Sequence, residues 1–148
     1  MTRSVCSSAS TTLELLTGDL EPGECVEFRD SAGIHMALHV ERLADAPAGS
    51  LFTLAHAHAG HLGEFIPDPL VALFRSPDGS WTPLEITTPF AQVVAAELDP
   101  LRVVLRDEHR RLVALTEVWM RNVEVNLLRA RHILRKEEVC LPAEYQTA

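Results

Sequence analysis

The fold of this chain is decided by one alternating stretch at residues 34–41, which reads Ile34-His35-Met36-Ala37-Leu38-His39-Val40-Glu41. Large apolar side chains recur there at every second position, which is the period of a strand with one buried face. The stretch therefore predicts a β-strand that turns one face toward the core and the other toward water.

A long amphipathic helix is predicted over residues 107–133. Its apolar residues recur at spacings of three and four: Leu112, Leu115, Trp119, Val123 and Leu127. Burial of such side chains stabilises a fold by about 1.5–3 kcal/mol each, so we expect this helix to be the main partner of the sheet. The strand at Ile34 and the stripe that includes Trp119 are expected to close on each other as a single interior.

Other short apolar runs are separated by turn-forming Pro, Gly and Asp residues and predict further strands. These runs are residues 25–28, 51–59, 70–74 and 81–87, whereas residues 90–98 favour a helix slightly and residues 101–105 are of uncertain type. The predicted fold is α+β, an antiparallel β-meander of four to five strands with a long C-terminal amphipathic helix packed on one face. We expect a frayed tail at residues 1–10, one domain at 11–136 and a C-terminal tail at 137–148.

Length, composition and charge are typical of one globular domain. The chain has 148 residues, of which 47% are hydrophobic, and a formal net charge of −8. This charge repels phosphate backbones and anionic lipids, so nucleic acid and membrane partners are disfavoured. A basic cluster late in the chain predicts the solvated face of a helix, with a small phosphate-binding patch as the alternative. The cluster comprises Arg121, Arg129, Arg131, Arg135 and Lys136, with Arg110 and Arg111 upstream.

The cysteines and the first residues bear on the compartment. Cys6, Cys25 and Cys140 are odd in number and widely spaced, which predicts free thiols in a reducing environment. The N-terminal residues contain no apolar run of the length that a secretory signal needs, and no segment approaches the ~18 apolar residues of a membrane span. The expected compartment is the cytoplasm.

The densest group of chemically versatile side chains lies at residues 56–64. His56 and His58 are two apart on a predicted strand and so share a face, and a bend at Gly60 could add His61 or Glu64 as a third ligand. Such a set could hold zinc or iron with an open position for water. His35 and His39 on the neighbouring strand could extend it. The interpretation that we favour is structural, with His56 partly buried and His58 and His61 solvated, and acid or base catalysis by these histidines is a further alternative.

No complete catalytic motif accompanies these histidines. The glycines are not followed by the Lys-Ser/Thr of a phosphate-binding loop, and no serine has a nucleophile-elbow setting. Cys25 stands between Glu24 and Glu27, which would raise the pKa of its thiol and so oppose a nucleophilic role.

Two segments carry a resemblance to a known family. The first reads Gly63-Glu64-Phe65-Ile66-Pro67-Asp68-Pro69-Leu70 and leads to Trp81-Thr82-Pro83-Leu84; the second carries Trp119 and Asn122 as Trp-x-x-Asn. These segments resemble an uncharacterised domain family of bacterial, plasmid and phage proteins, over roughly residues 55–128. The resemblance implies a fold and a setting on mobile elements, with no activity to carry over. From the residues themselves, Trp81 and Trp119 are expected to anchor the core.

These observations predict a non-catalytic accessory or protein-interaction domain, able to self-associate through a sheet edge. The alternative is a metal-dependent, hydrolase-like enzyme built on His56, His58, His61 and Glu64. A third hypothesis is an acidic mimic of nucleic acid, drawn from the net charge.

Overall fold

The structure is a computed structural model that describes residues 2–18, 20–30, 37–45, 48–59, 62, 65–98, 100–128 and 133–137. Within these ranges, the chain begins with a helix, continues as eight strands, and then forms a second helix and a last strand. The elements are α1 (Ser7–Thr17), β1 (Cys25–Asp30), β2 (Leu38–Arg42), β3 (Ser50–Ala59), β4 (Phe65–Arg75), β5 (Trp81–Thr87), β6 (Gln92–Val94), β7 (Ala96–Glu97), β8 (Arg102–Val103), α2 (Arg106–Val123), a π-helical segment (Glu124–Leu128) and β9 (Ile133–Glu137).

The main sheet is an antiparallel meander in the order β6-β5-β4-β3-β2-β1-β9. Strands β1 to β6 follow one another along the chain, and β9 returns to pair with β1. β7 and β8 form a separate two-stranded ribbon. The α+β class, the meander and the helix on one face are confirmed, although the described sheet has seven strands where four to five are predicted.

The core lies between the sheet and the two helices. Leu38 and Val40 of β2 are fully buried in the same apolar cluster as Trp119, Met120 and the rest of the inner face of α2. The expected closure of the alternating strand on the Trp119 stripe is therefore confirmed. Truncation of a buried aromatic such as Trp119 typically costs about 3–5 kcal/mol, so this contact is a large part of the stability of a domain of this size.

The first residues differ from the expected tail. α1 begins at Ser7, and Val5, Ala9 and Leu13 are buried in the core at a spacing of four. The Val5 N–H also donates to the Trp81 carbonyl at 2.9 Å. Small and hydroxyl side chains have modest helix propensity, so the sequence predicts only a short helix at residues 11–16, and tertiary packing of the apolar positions stabilises the earlier turn as well.

The prediction of a helix at residues 90–98 is wrong. A turn, in which the Thr88 N–H donates to the Ala91 carbonyl at 2.8 Å, reverses the chain and pairs β6 with β5. The β-branched Val93 and Val94 then extend the sheet, and β7 follows at Ala96–Glu97. A nearby strand with unpaired hydrogen-bonding groups outweighs local propensity in such segments.

The second helix is shorter than predicted, and the face that it buries is not the one that the sequence predicts. It is α-helical over Arg106–Val123 and π-helical to Leu128, and β9 occupies residues for which helix and tail are predicted. Leu115, which the sequence places in the buried stripe, is 42% exposed, whereas Thr116 and Met120 are buried. The buried stripe of α2 includes Leu112, Thr116, Trp119 and Met120, and it leaves Leu115 outside. It therefore contains a polar residue that a purely apolar pattern does not predict.

Candidate functional site

His56 is the one member of the predicted metal set whose side chain is described. It lies on β3, where its Nδ1 is 3.0 Å from the Ala37 carbonyl and its Nε2 is 2.9 Å from Nε1 of Trp119. The indole nitrogen can only donate, so Nε2 must accept and the ring proton must sit on Nδ1, which donates to Ala37. Burial lowers the pKa of His56, while the bond to the Ala37 carbonyl acts in the opposite direction. The geometry therefore holds His56 as a neutral imidazole.

The hydrogen bonds of His56 bear directly on metal binding. Both ring nitrogens are engaged, so His56 could ligate an ion only by giving up one of these bonds. The backbone of His58 continues β3, whereas its side chain, His61 and Glu64 lie outside the described residues. Among the side chains that the structure describes, no three His, Cys, Asp or Glu residues are grouped to hold an ion. The four-residue metal site stays a prediction.

His39 does not join His56 on one face of the sheet. Leu38 is the register partner of His56, and His39 is the partner of Ala55. Side chains alternate along each strand, so His39 points to the face opposite His56. His35 lies outside the described residues.

The face that carries His39 is not the solvated surface that the alternating pattern predicts. Glu27 and Glu41 are only 3% and 4% exposed, and Arg29 forms an ion pair with Glu27. Burial lowers the pKa of His39, Glu27 opposes this effect, and Arg29 reinforces it. A buried, charged strand face is therefore present where the sequence indicates contact with water, because strand alternation reports two faces but not what covers each of them.

The tryptophans are core anchors, as expected. Trp81 is fully buried, and its Nε1 donates to Oε1 of Glu14 at 3.0 Å, while Nε of Arg75 donates to the same oxygen at 2.7 Å. This network joins α1 to β4 and β5. Trp119 is 8% exposed, and its polar atom is bound to His56. Neither indole has a free polar atom to offer a ligand.

An apolar groove lies between the edge of the sheet and α2, and we call it the edge groove. It has a volume of about 340 Å³. Its apolar walls come from Ile86, Val93, Ala95, Leu112 and Leu115, and its rim carries Glu108 and Arg111. The spacing of apolar residues predicts Leu115 inside the core, so the sequence gives no indication of this groove.

Exposed apolar side chains lie on α2 beside the edge groove, and others lie on β6 and the turn before it, where Val94 faces away from the groove because side chains alternate along a strand. Phe90, in the turn before β6, is 96% exposed, and Val94 at the end of β6 is 39% exposed. On α2, Leu115 and Val118 are 42% and 55% exposed. Apolar groups gathered at one place on a surface mark an interaction site more often than isolated ones do. A second apolar stripe, on the exposed side of α2 and its π-helical continuation, comprises Leu115, Val118 and Val125. Their spacing of three and seven residues is the sequence signal that could have revealed it.

Comparisons with protein families, with curated proteins and with solved structures find no match to this chain. The resemblance to a bacterial, plasmid and phage domain family, and the setting on mobile elements that it implies, therefore stay predictions. No helix in the described part of the chain is long and apolar enough to cross a membrane. Neither of the two described cysteines, Cys6 and Cys25, forms a disulfide, as expected.

Proposed function

We propose that this protein is a non-catalytic interaction domain that pairs with a second copy of itself through the edge groove and strand β6. The observation that supports this proposal most strongly is the position of β6. It is the terminal strand of the main sheet, and β5 is its only strand partner among the described residues. A terminal strand offers backbone donors and acceptors to another strand.

Antiparallel pairing of β6 with another β6 satisfies two-fold symmetry, because each strand then meets the same strand in the opposite direction. The exposed Leu115 and Val118 would be covered in the same contact, since Leu115 lines the edge groove beside Val93 of β6. Apolar burial next to new main-chain hydrogen bonds supports association more strongly than either contribution alone.

The charges at the rim suit a symmetric contact. Glu108 and Arg111 form an ion pair at 2.6 Å on the rim of the edge groove, so each copy presents both signs to its partner. A surface of mixed sign can be complementary to itself, which a surface of one sign cannot. The net charge of −8 on each copy opposes association, so added salt should strengthen the dimer by screening this repulsion.

Sedimentation equilibrium of the full chain, extended to several hundred micromolar, tests the proposal. Strand β6 has only three residues to pair, and a standard interface uses about 20–30 residues on each side, so we expect a weak, concentration-dependent dimer. Leu115→Glu places a charge in the contact and should weaken association by at least about tenfold. Leu15→Glu is the matched control, since Leu15 is 68% exposed on α1 and does not line the edge groove.

A monomer at all concentrations would refute the proposal, as would equal weakening by the two substitutions. Circular dichroism of each variant should show that it is folded, because Leu15 and Leu115 are 68% and 42% exposed and neither is in the buried core.

A further inference from the structure

A second cavity, on the other flank of α2, is lined by basic side chains. Its volume is about 520 Å³, and the described residues that line it are Arg3, Val103, Val104, Arg106, His109 and Arg110. No acidic side chain is among these described residues. This composition contrasts with the chain as a whole, in which 21 Asp and Glu outnumber 13 Lys and Arg. We call this cavity the arginine cavity.

The N-terminal segment is tied to the body of the domain at three places, so the backbone of Arg3 is held beside the cavity. The backbone N–H of Arg3 donates to Nε2 of His109 at 2.9 Å. The N–H groups of Val5 and Cys6 donate to the Trp81 carbonyl at 2.9 Å and to Oε2 of Glu117 at 2.6 Å. A site whose parts are already in place loses less conformational entropy when a ligand binds.

His109 forms the inner wall of the arginine cavity and is 2% exposed. Because Nε2 accepts from the backbone of Arg3, the neutral ring carries its proton on Nδ1. This Nδ1–H has no hydrogen-bond partner among the described residues; the backbone of Pro83 lies close enough to affect the pKa but not in hydrogen-bonding geometry.

The start of α2 adds further donors. The residue before the helix, Leu105, provides no side-chain cap, so the first backbone N–H groups lack a capping acceptor from that residue. Asp107 and Glu108 stand in the first turn, but neither lines the cavity. Arg106 and Arg110 are four residues apart and lie on the same flank of the helix. Neither these two guanidinium groups nor that of Arg3 forms an ion pair with any residue that the structure describes.

From three guanidinium groups that have no ion-pair partner among the described residues and that line one cavity at the start of α2, we propose that the arginine cavity binds the phosphate group of a small ligand. Guanidinium groups bind phosphate oxygens in a bidentate manner, and helix starts attract anions. The negative charge of the whole chain repels long polyanions, so the cavity suits a small phosphorylated molecule rather than a nucleic acid.

Isothermal titration of the full chain with inorganic phosphate and with pyrophosphate, in chloride buffer at constant ionic strength, tests this proposal. We expect both anions to bind, pyrophosphate more tightly because of its higher charge. Arg110→Gln removes one guanidinium and should weaken binding by about 10- to 100-fold, the usual effect of losing a charge-assisted hydrogen bond. Arg121→Gln is the matched control, because Arg121 is an exposed arginine at the other end of α2.

Three results would overturn the proposal. The first is the absence of binding by either anion to the unmodified chain. The second is equal weakening by Arg110→Gln and Arg121→Gln, which would show only a general effect of net charge. The third is Arg110-dependent binding of a single-stranded oligonucleotide under conditions in which pyrophosphate does not bind. The dimer test at the edge groove is independent, since Arg110 does not line that groove.

Discussion

Replacement of His56 by leucine removes the polar link between β3 and α2. Leucine is similar in size to histidine but is apolar. It can neither accept a hydrogen bond from Nε1–H of Trp119 nor donate one to the Ala37 carbonyl. A buried donor left without an acceptor costs about 1–3 kcal/mol, and the partly exposed Ala37 carbonyl should cost less because water can reach it. We therefore expect His56→Leu to lower the free energy of unfolding by about 2–3 kcal/mol near neutral pH.

The same variant separates the contribution of His56 to the pH dependence of stability. Burial holds the pKa of His56 below its usual value of about 6.5, so the unfolded chain takes up a proton at higher pH than the folded chain. The stabilisation by neutral His56 is therefore complete above about pH 6.5 and is lost as the pH falls from there toward the depressed folded pKa. Within that window the unmodified chain should lose up to about 1.4 kcal/mol per pH unit that the variant does not lose.

Urea unfolding followed by circular dichroism, at about pH 7.5 and about pH 5.5, measures both effects. The pKa values of His39 and His109 are also lowered, chiefly by burial. The contribution of His109 cancels in the comparison, whereas that of His39 changes to the extent that the charge of His56 also lowers the His39 pKa. Equal loss of stability on acidification in the two proteins would refute the reasoning. His56→Leu should cost about 1 kcal/mol less in a Trp119→Phe background, because the indole donor is already absent there. An unchanged cost in that background would also refute the reasoning.

Three further predictions test other parts of the structure. Glu14→Ala should cost about 1–3 kcal/mol in urea unfolding because it leaves a buried indole N–H without an acceptor, whereas Glu14→Gln keeps an acceptor and should cost less; equal costs would contradict the bond. Gly49→Ala would drive a Cβ into the carbonyl oxygen of Arg75, so we expect a loss of about 1–3 kcal/mol, and a change within about 0.5 kcal/mol would contradict the close approach. Elemental analysis should find no stoichiometric zinc or iron, because His56 has both ring nitrogens engaged; an ion that is lost in His58→Ala would instead establish the predicted metal site.

The elements that the sequence predicts well are those with a sustained period. The alternation through Leu38 and Val40 predicts a strand and its buried face, and both are present. The apolar spacing around Trp119 predicts the second helix within one residue at its start. The strands at 70–74 and 81–87 are bounded by a turn-forming segment, in which Gly79 adopts a positive φ of 89°.

The failures occur where the local signal is short or where both faces of an element matter. Residues 92–97 could be helix or strand by propensity, and a nearby strand with free hydrogen-bonding groups decided between them. Leu115 has the correct spacing for the buried stripe, yet it is exposed because the helix turns Thr116 and Met120 toward the sheet. The burial of Glu41, on a strand face for which solvent is predicted, has the same origin, since a sequence period reports that two faces differ but not what covers them.

The candidate sites depend on contacts that no local pattern records. His56 meets Trp119 across 63 positions, and His109 meets the backbone of Arg3 across 106 positions. The sequence by itself determined the α+β class, the buried faces of a strand and a helix, and the two indole anchors, because those properties repeat among neighbouring residues. Only the tertiary structure decided which ring nitrogens are free, which arginines share a cavity and which leucine faces water. Those outcomes depend on how distant segments pack, and the packing of distant segments leaves no period in the chain.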